Sequence, residues 1–71
     1  MKNIQKLALE YAEKLVVYEA RSMTYKNVSP DADDFDVIRE ACLTARVEKC
    51  AALDRLEDAA KEYAQLHHVQ N

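Results

Sequence analysis

Apolar residues recur at three- and four-residue steps along most of this chain. Ile4, Leu7, Ala8, Tyr11, Leu15, Tyr18, Ser22 and Tyr25 form one such series. That spacing predicts a first helix over residues 3–25, with this series as its main buried face. A second stripe, Leu9, Ala12, Val16, Ala20 and Met23, lies roughly 140° round the same helix at ~100° per residue. The polar remainder is narrow: Lys2, Lys6, Glu10, Glu13, Lys14 and Arg21, with Val17 in its middle. A helix with two apolar faces is normally sandwiched between neighbours.

Lys26, Asn27, Val28 and Ser29 interrupt the pattern and predict a turn. Ser29 suits an N-cap, and Pro30 suits a first helical position, where no backbone donor is needed. Asp31, Asp33, Asp34 and Asp36 would face the positive end of the helix dipole. No glycine and no further proline follow, so the pattern predicts one unbroken helix over residues 30–68, ~58 Å long. Its core face is Phe35, Ile38, Cys42, Ala45, Ala52, Leu53, Leu56, Ala60, Tyr63 and His67. Lys49 interrupts that face; a lysine there snorkels to the rim or sets register. Leu43, Val47 and Cys50 form a small patch on nearly the opposite side.

The predicted fold class is all-α. Residues 1–71 form one antiparallel two-helix hairpin with a long second helix. A short turn would place Tyr25 near Pro30 and Ile4 near residue 51. The stretch Ala52 to His67 would then lie uncovered for ~22–24 Å. An apolar stripe of that length needs a cover, and a second copy is the simplest one. The expectation is a homodimer forming a four-helix bundle. Its candidate oligomer or partner interface is Leu9, Val16, Met23, Leu53, Leu56, Ala60, Tyr63 and His67, with Leu43, Val47 and Cys50 as a secondary patch.

Lys6, Ala8, Leu9 and Ala12, together with Asp31-Ala32-Asp33 at the turn, resemble the plasmid-copy-number RNA-binding hairpins (Rop-like proteins). The resemblance is one of architecture and implies a helical hairpin that dimerises into a four-helix bundle. Glu10 and Tyr18 stand where that family's RNA-facing helix calls for amide or basic side chains, so its activity is not carried over.

Charge adds little. The net charge is −3. Residues 1–26 hold five Lys/Arg against three Asp/Glu, +2, and residues 27–71 hold five against ten, −5. The opposed signs favour an antiparallel arrangement slightly. Seventy-one residues make one small domain, for which association is a common remedy for a thin core. MKNIQKLALEYAEK has no signal-peptide pattern, and no ~18-residue apolar run predicts a membrane span. Cys42 and Cys50 lie ~12 Å apart along one helix, too far to bridge within it. They read as reduced thiols in a cytoplasmic protein.

Candidate chemistry is sparse. The acidic run lacks the glycine and distal glutamate of a calcium loop. His67 and His68 are adjacent, so they point ~100° apart and cannot share a metal as an i,i+4 pair would. Neither a nucleophile–base pair nor a cofactor motif is present, so no enzyme, cofactor or metal site is expected. The function expected is a small helical regulator, inhibitor or adaptor acting through protein–protein contacts. Two alternatives are an RNA- or DNA-binding bundle and a purely structural oligomer. Nucleic acid would use Lys2, Lys6, Lys14 and Arg21, but Glu10 and Glu13 dilute that field, and the reading is not favoured.

Overall fold

The computed structural model describes residues 3–69, with side chains through His67. Two helices, α1 (Ile4–Asn27) and α2 (Phe35–Val69), make up the fold, and the described residues contain no strand. They pack lengthwise into a rod of 59 × 15 × 14 Å. α1 starts where Asn3 caps it: its side-chain oxygen accepts from the Lys6 amide at 3.1 Å, and its carbonyl accepts from Leu7 at 3.1 Å. It ends at Val28, whose backbone is extended (φ −85°, ψ 140°).

The connection is longer than the sequence pattern predicts. α2 begins at Phe35, whereas the expected start was Pro30. The Ser29 hydroxyl oxygen accepts from the Asp31 amide at 3.3 Å, and the Ser29 carbonyl accepts from Ala32 at 3.0 Å. The Ala32 carbonyl then accepts from Phe35 at 3.1 Å. These are successive i→i+3 turns. Proline pre-sets the second position of such a turn, and Ser and Asp side chains compete locally for backbone donors. Only at Asp34, whose carbonyl accepts from Ile38 at 3.0 Å, does i→i+4 bonding take over. Asp31, Asp33 and Asp34 therefore precede α2, and Asp36 alone of the four aspartates lies in its first turn.

From Phe35 onward α2 is one helix to Val69. Its contact face climbs in alternating steps of three and four: Cys42, Ala45, Lys49, Ala52, Leu56, Ala59. This is the 3.5-residue period of a two-helix seam. Ala45, Ala52 and Ala59 are seven residues apart and only 4, 1 and 3% exposed. On α1 the matching residues are large: Ile4, Tyr11, Tyr18 and Tyr25, also seven apart and all half-buried. Large side chains on one helix over small ones on the other let the backbones approach closely. α1 has no fully buried residue. Two helices alone form a seam and cannot enclose a core, so stability is expected to be modest.

Cross-helix contacts fix the register. The Tyr25 and Phe35 rings meet at 5.7 Å, the Ser22 hydroxyl lies 3.6 Å from the Cys42 sulfur, and the Lys49 ammonium lies 4.3 Å from the Tyr18 ring centroid. Near the other end, Asn3, Lys6, Leu7, Glu10 and Arg55 line one shallow cleft. This progression puts Ile4 level with about Ala59, and the expected level of residue 51 is corrected accordingly. The added turn at 30–34 slides α1 along α2. Two face assignments also change. Ala8 and Ala60 are exposed, and Ala59 takes the buried place expected for Ala60, because Ala59, not Ala60, continues the three-four ladder.

Candidate interaction surfaces

Three apolar surfaces remain on this rod. The first is the outer face of α1. Leu9, Val16 and Met23 are 61, 64 and 65% exposed, with Ala12 and Ala20 exposed between them. Their stripe points away from α2, because it is offset by well over 90° from the tyrosine row. Glu13 and Glu19 flank it, both exposed.

The second surface is the outer face of α2. Leu43, Val47 and Cys50 share a shallow depression with Arg46, Ala51 and Asp54. Val47 and Leu43 are both exposed, and the Cys50 thiol is free and exposed while that of Cys42 is free and buried. This patch also faces away from the partner helix.

The third surface is the end of α2. Past Ala59 every described side chain, from Ala60 to His67, is exposed. The uncovered stretch, among the described side chains, is residues 60–67, ~12 Å. Leu53 and Leu56, expected in the interface, lie alongside α1 and are half-buried within the hairpin. Ala60, Tyr63 and His67 stay free on the overhang. The His67 ring lies against the Tyr63 ring at 4.0 Å. Leu66, 48% exposed beside Tyr63 at 46%, also belongs here. It was not singled out from sequence, although it stands seven residues beyond Ala59 in the same row.

The basic face is weaker than its composition suggests. Lys14 is paired with Glu48 at 3.6 Å, and Glu10 is half-buried beside Lys6 in the cleft with Arg55. Arg21 remains exposed. Lys2 lies outside the described residues, as does the His68 side chain. Lys49, the anomaly of the seam, is half-buried, its stem in the interface and its charge over Tyr18.

Among the described residues no group of three His, Cys, Asp or Glu side chains could hold a metal ion, and no helix is long and apolar enough to cross a membrane. No protein-family model, no curated protein and no solved structure matches the chain.

Proposed function

We propose that the protein is a small non-enzymatic helical interaction module, a regulator, inhibitor or adaptor that works through protein–protein contacts and associates with a second copy of itself. The observation that carries this reading is the Leu9, Val16 and Met23 stripe, exposed on the side of α1 turned away from α2. Three large apolar side chains at seven-residue spacing on one helix face suit the flank of another helix. Each flank of the stripe carries one acid and one base, Lys6 and Glu13 on one side and Glu19 and Lys26 on the other, so a partner helix with mixed-charge flanks fits it best.

The test is affinity capture with the native chain and with a Val16→Glu/Met23→Glu variant as baits. A partner held by the native chain and lost by the variant supports the reading. Identical captured sets with both baits defeat it.

Nucleic-acid binding is the second reading, on Lys6, Lys14 and Arg21. The Lys14–Glu48 pair weighs against it, because few uncompensated charges remain to neutralise phosphates. Unchanged mobility of a short RNA or DNA duplex at low salt would remove it. A purely structural bundle, the third reading, predicts that neither bait captures a partner.

A further inference from the structure

We infer that copies of this chain pack edge to edge in an open row, the outer face of α1 of one copy lying on the outer face of α2 of the next. This rests on the self-association in the reading above and goes further by naming the two surfaces that meet.

Three observations converge on that arrangement. The first is placement. The Leu9, Val16 and Met23 stripe points away from α2, and the Leu43, Val47 and Cys50 patch points away from α1. The rod therefore carries its two outer apolar faces on opposite edges. The second is height. The Lys14–Glu48 pair and the Tyr18–Lys49 and Ser22–Cys42 contacts set the level of one helix against the other. On that register Val16 is level with about Val47. A copy moved sideways, with no shift along the rod, thus brings one apolar edge onto the other. All the overhangs then point the same way, and none enters the space held by α1.

The third observation is charge. A sideways copy keeps the same face up, so each flank of the stripe meets one flank of the patch. On the side of the cleft that holds Lys6 and Arg55, Lys6 comes between Asp54 and Asp58 of the second copy, and Glu13 comes beside Ala51. On the other side Glu19 meets Arg46, and Lys26 comes level with Asp36. Arg39 also nears Lys26, but it is already paired with Glu40 at 3.8 Å. All these side chains are exposed in the single hairpin, so opposite charges can reach across the joint.

The two faces differ, so the contact is heterologous. Because they lie on opposite edges, a row grows instead of closing as a two-fold pair. Each joint is a single helix laid on a single helix, small beside the ~1,600 Å² of standard complexes. Rows are therefore weak, lengthen with concentration and leave one α1 stripe open at an end for a different partner.

The test uses two variants of the full chain, each spoiling one edge. Val16→Glu removes the α1 edge and Val47→Glu the α2 edge. Both valines are exposed and glutamate is the better helix former, so helix content should not fall. In sedimentation equilibrium up to about 1 mM, the native chain should pass beyond dimer as concentration rises. Each variant alone should stay a monomer. Their equal mixture should form one-to-one dimers and nothing larger, because one good edge remains on each. A native chain that stops at a dimer overturns the row and leaves self-association standing. So does a variant that associates alone as the native chain does, or a mixture that stays monomeric. Native monomer at every concentration overturns self-association as well, and the affinity-capture test with foreign proteins is unaffected.

Discussion

The Lys49 ammonium sits 4.3 Å from the centroid of the Tyr18 ring. A cation over an aromatic face contributes about 0.5–1 kcal/mol when exposed and ~2 when desolvated. The ring is what matters, so Tyr18→Phe should be nearly neutral and Tyr18→Leu should cost about 1–2 kcal/mol. Lys49→Met keeps the buried stem and should shift stability by less than about 1 kcal/mol. Urea unfolding at one fixed protein concentration ranks the three. Equal losses for Tyr18→Phe and Tyr18→Leu would point to the hydroxyl and against the cation.

Neighbouring alanines should behave differently. Ala59 is 3% exposed and Ala60 is exposed. Ala59→Leu should overpack the seam and cost about 1–3 kcal/mol, while Ala60→Leu should stay within about 0.5 kcal/mol. Thermal melts followed by circular dichroism compare them directly. The reverse order would move the seam by one residue.

The two thiols should separate kinetically. Cys50 is open to solvent and Cys42 is buried beside Ser22. Alkylation of the native protein, followed by mass spectrometry, should modify Cys50 first and Cys42 only at the rate of unfolding. Simultaneous modification would show that the seam near Ser22 opens readily.

Asn3→Ala should remove the cap of α1. The lost bond to the Lys6 amide is expected to cost about 1 kcal/mol, seen as a lower melting temperature. Asn3→Asp should retain most of it, because a carboxylate also accepts from that amide and suits the positive end of the helix. No difference between the two variants would mean that the first turn is already frayed.

Helix identity and most of the contact face were legible in the chain. Tyr11, Tyr18, Tyr25, Cys42, Ala45 and Ala52 all fall where three- and four-residue steps put them. Register was not legible, and the reason lies at Ser29-Pro30. A serine before a proline, followed by aspartates, reads as a capped helix start, yet the same residues also favour consecutive tight turns. That one ambiguity displaced α1 along α2 and made the overhang look longer than it is. The pattern accordingly places Leu53 and Leu56 on an open surface, which the hairpin already half covers. Ala60 was misplaced for a smaller reason: one position on a helix is a ~100° turn, and apolar type alone does not separate Ala59 from Ala60. The outer α1 stripe was legible because Leu9, Val16 and Met23 recur at seven-residue spacing with alanines between them.

The tyrosine row over the alanine row has one more consequence. Both rows repeat every seven residues, so together they make a track with several nearly equivalent stops, ~10 Å apart. Sliding α1 by one repeat would again seat large side chains over small ones. Identical notches alone therefore do not say which stop is home. What distinguishes this one is unlike its surroundings: Lys49, which needs an aromatic face rather than an aliphatic one, and the brief connection from Val28 to Asp34, which limits travel. A leucine at position 49 would make the notches more alike, trading a unique alignment for a set of interchangeable ones.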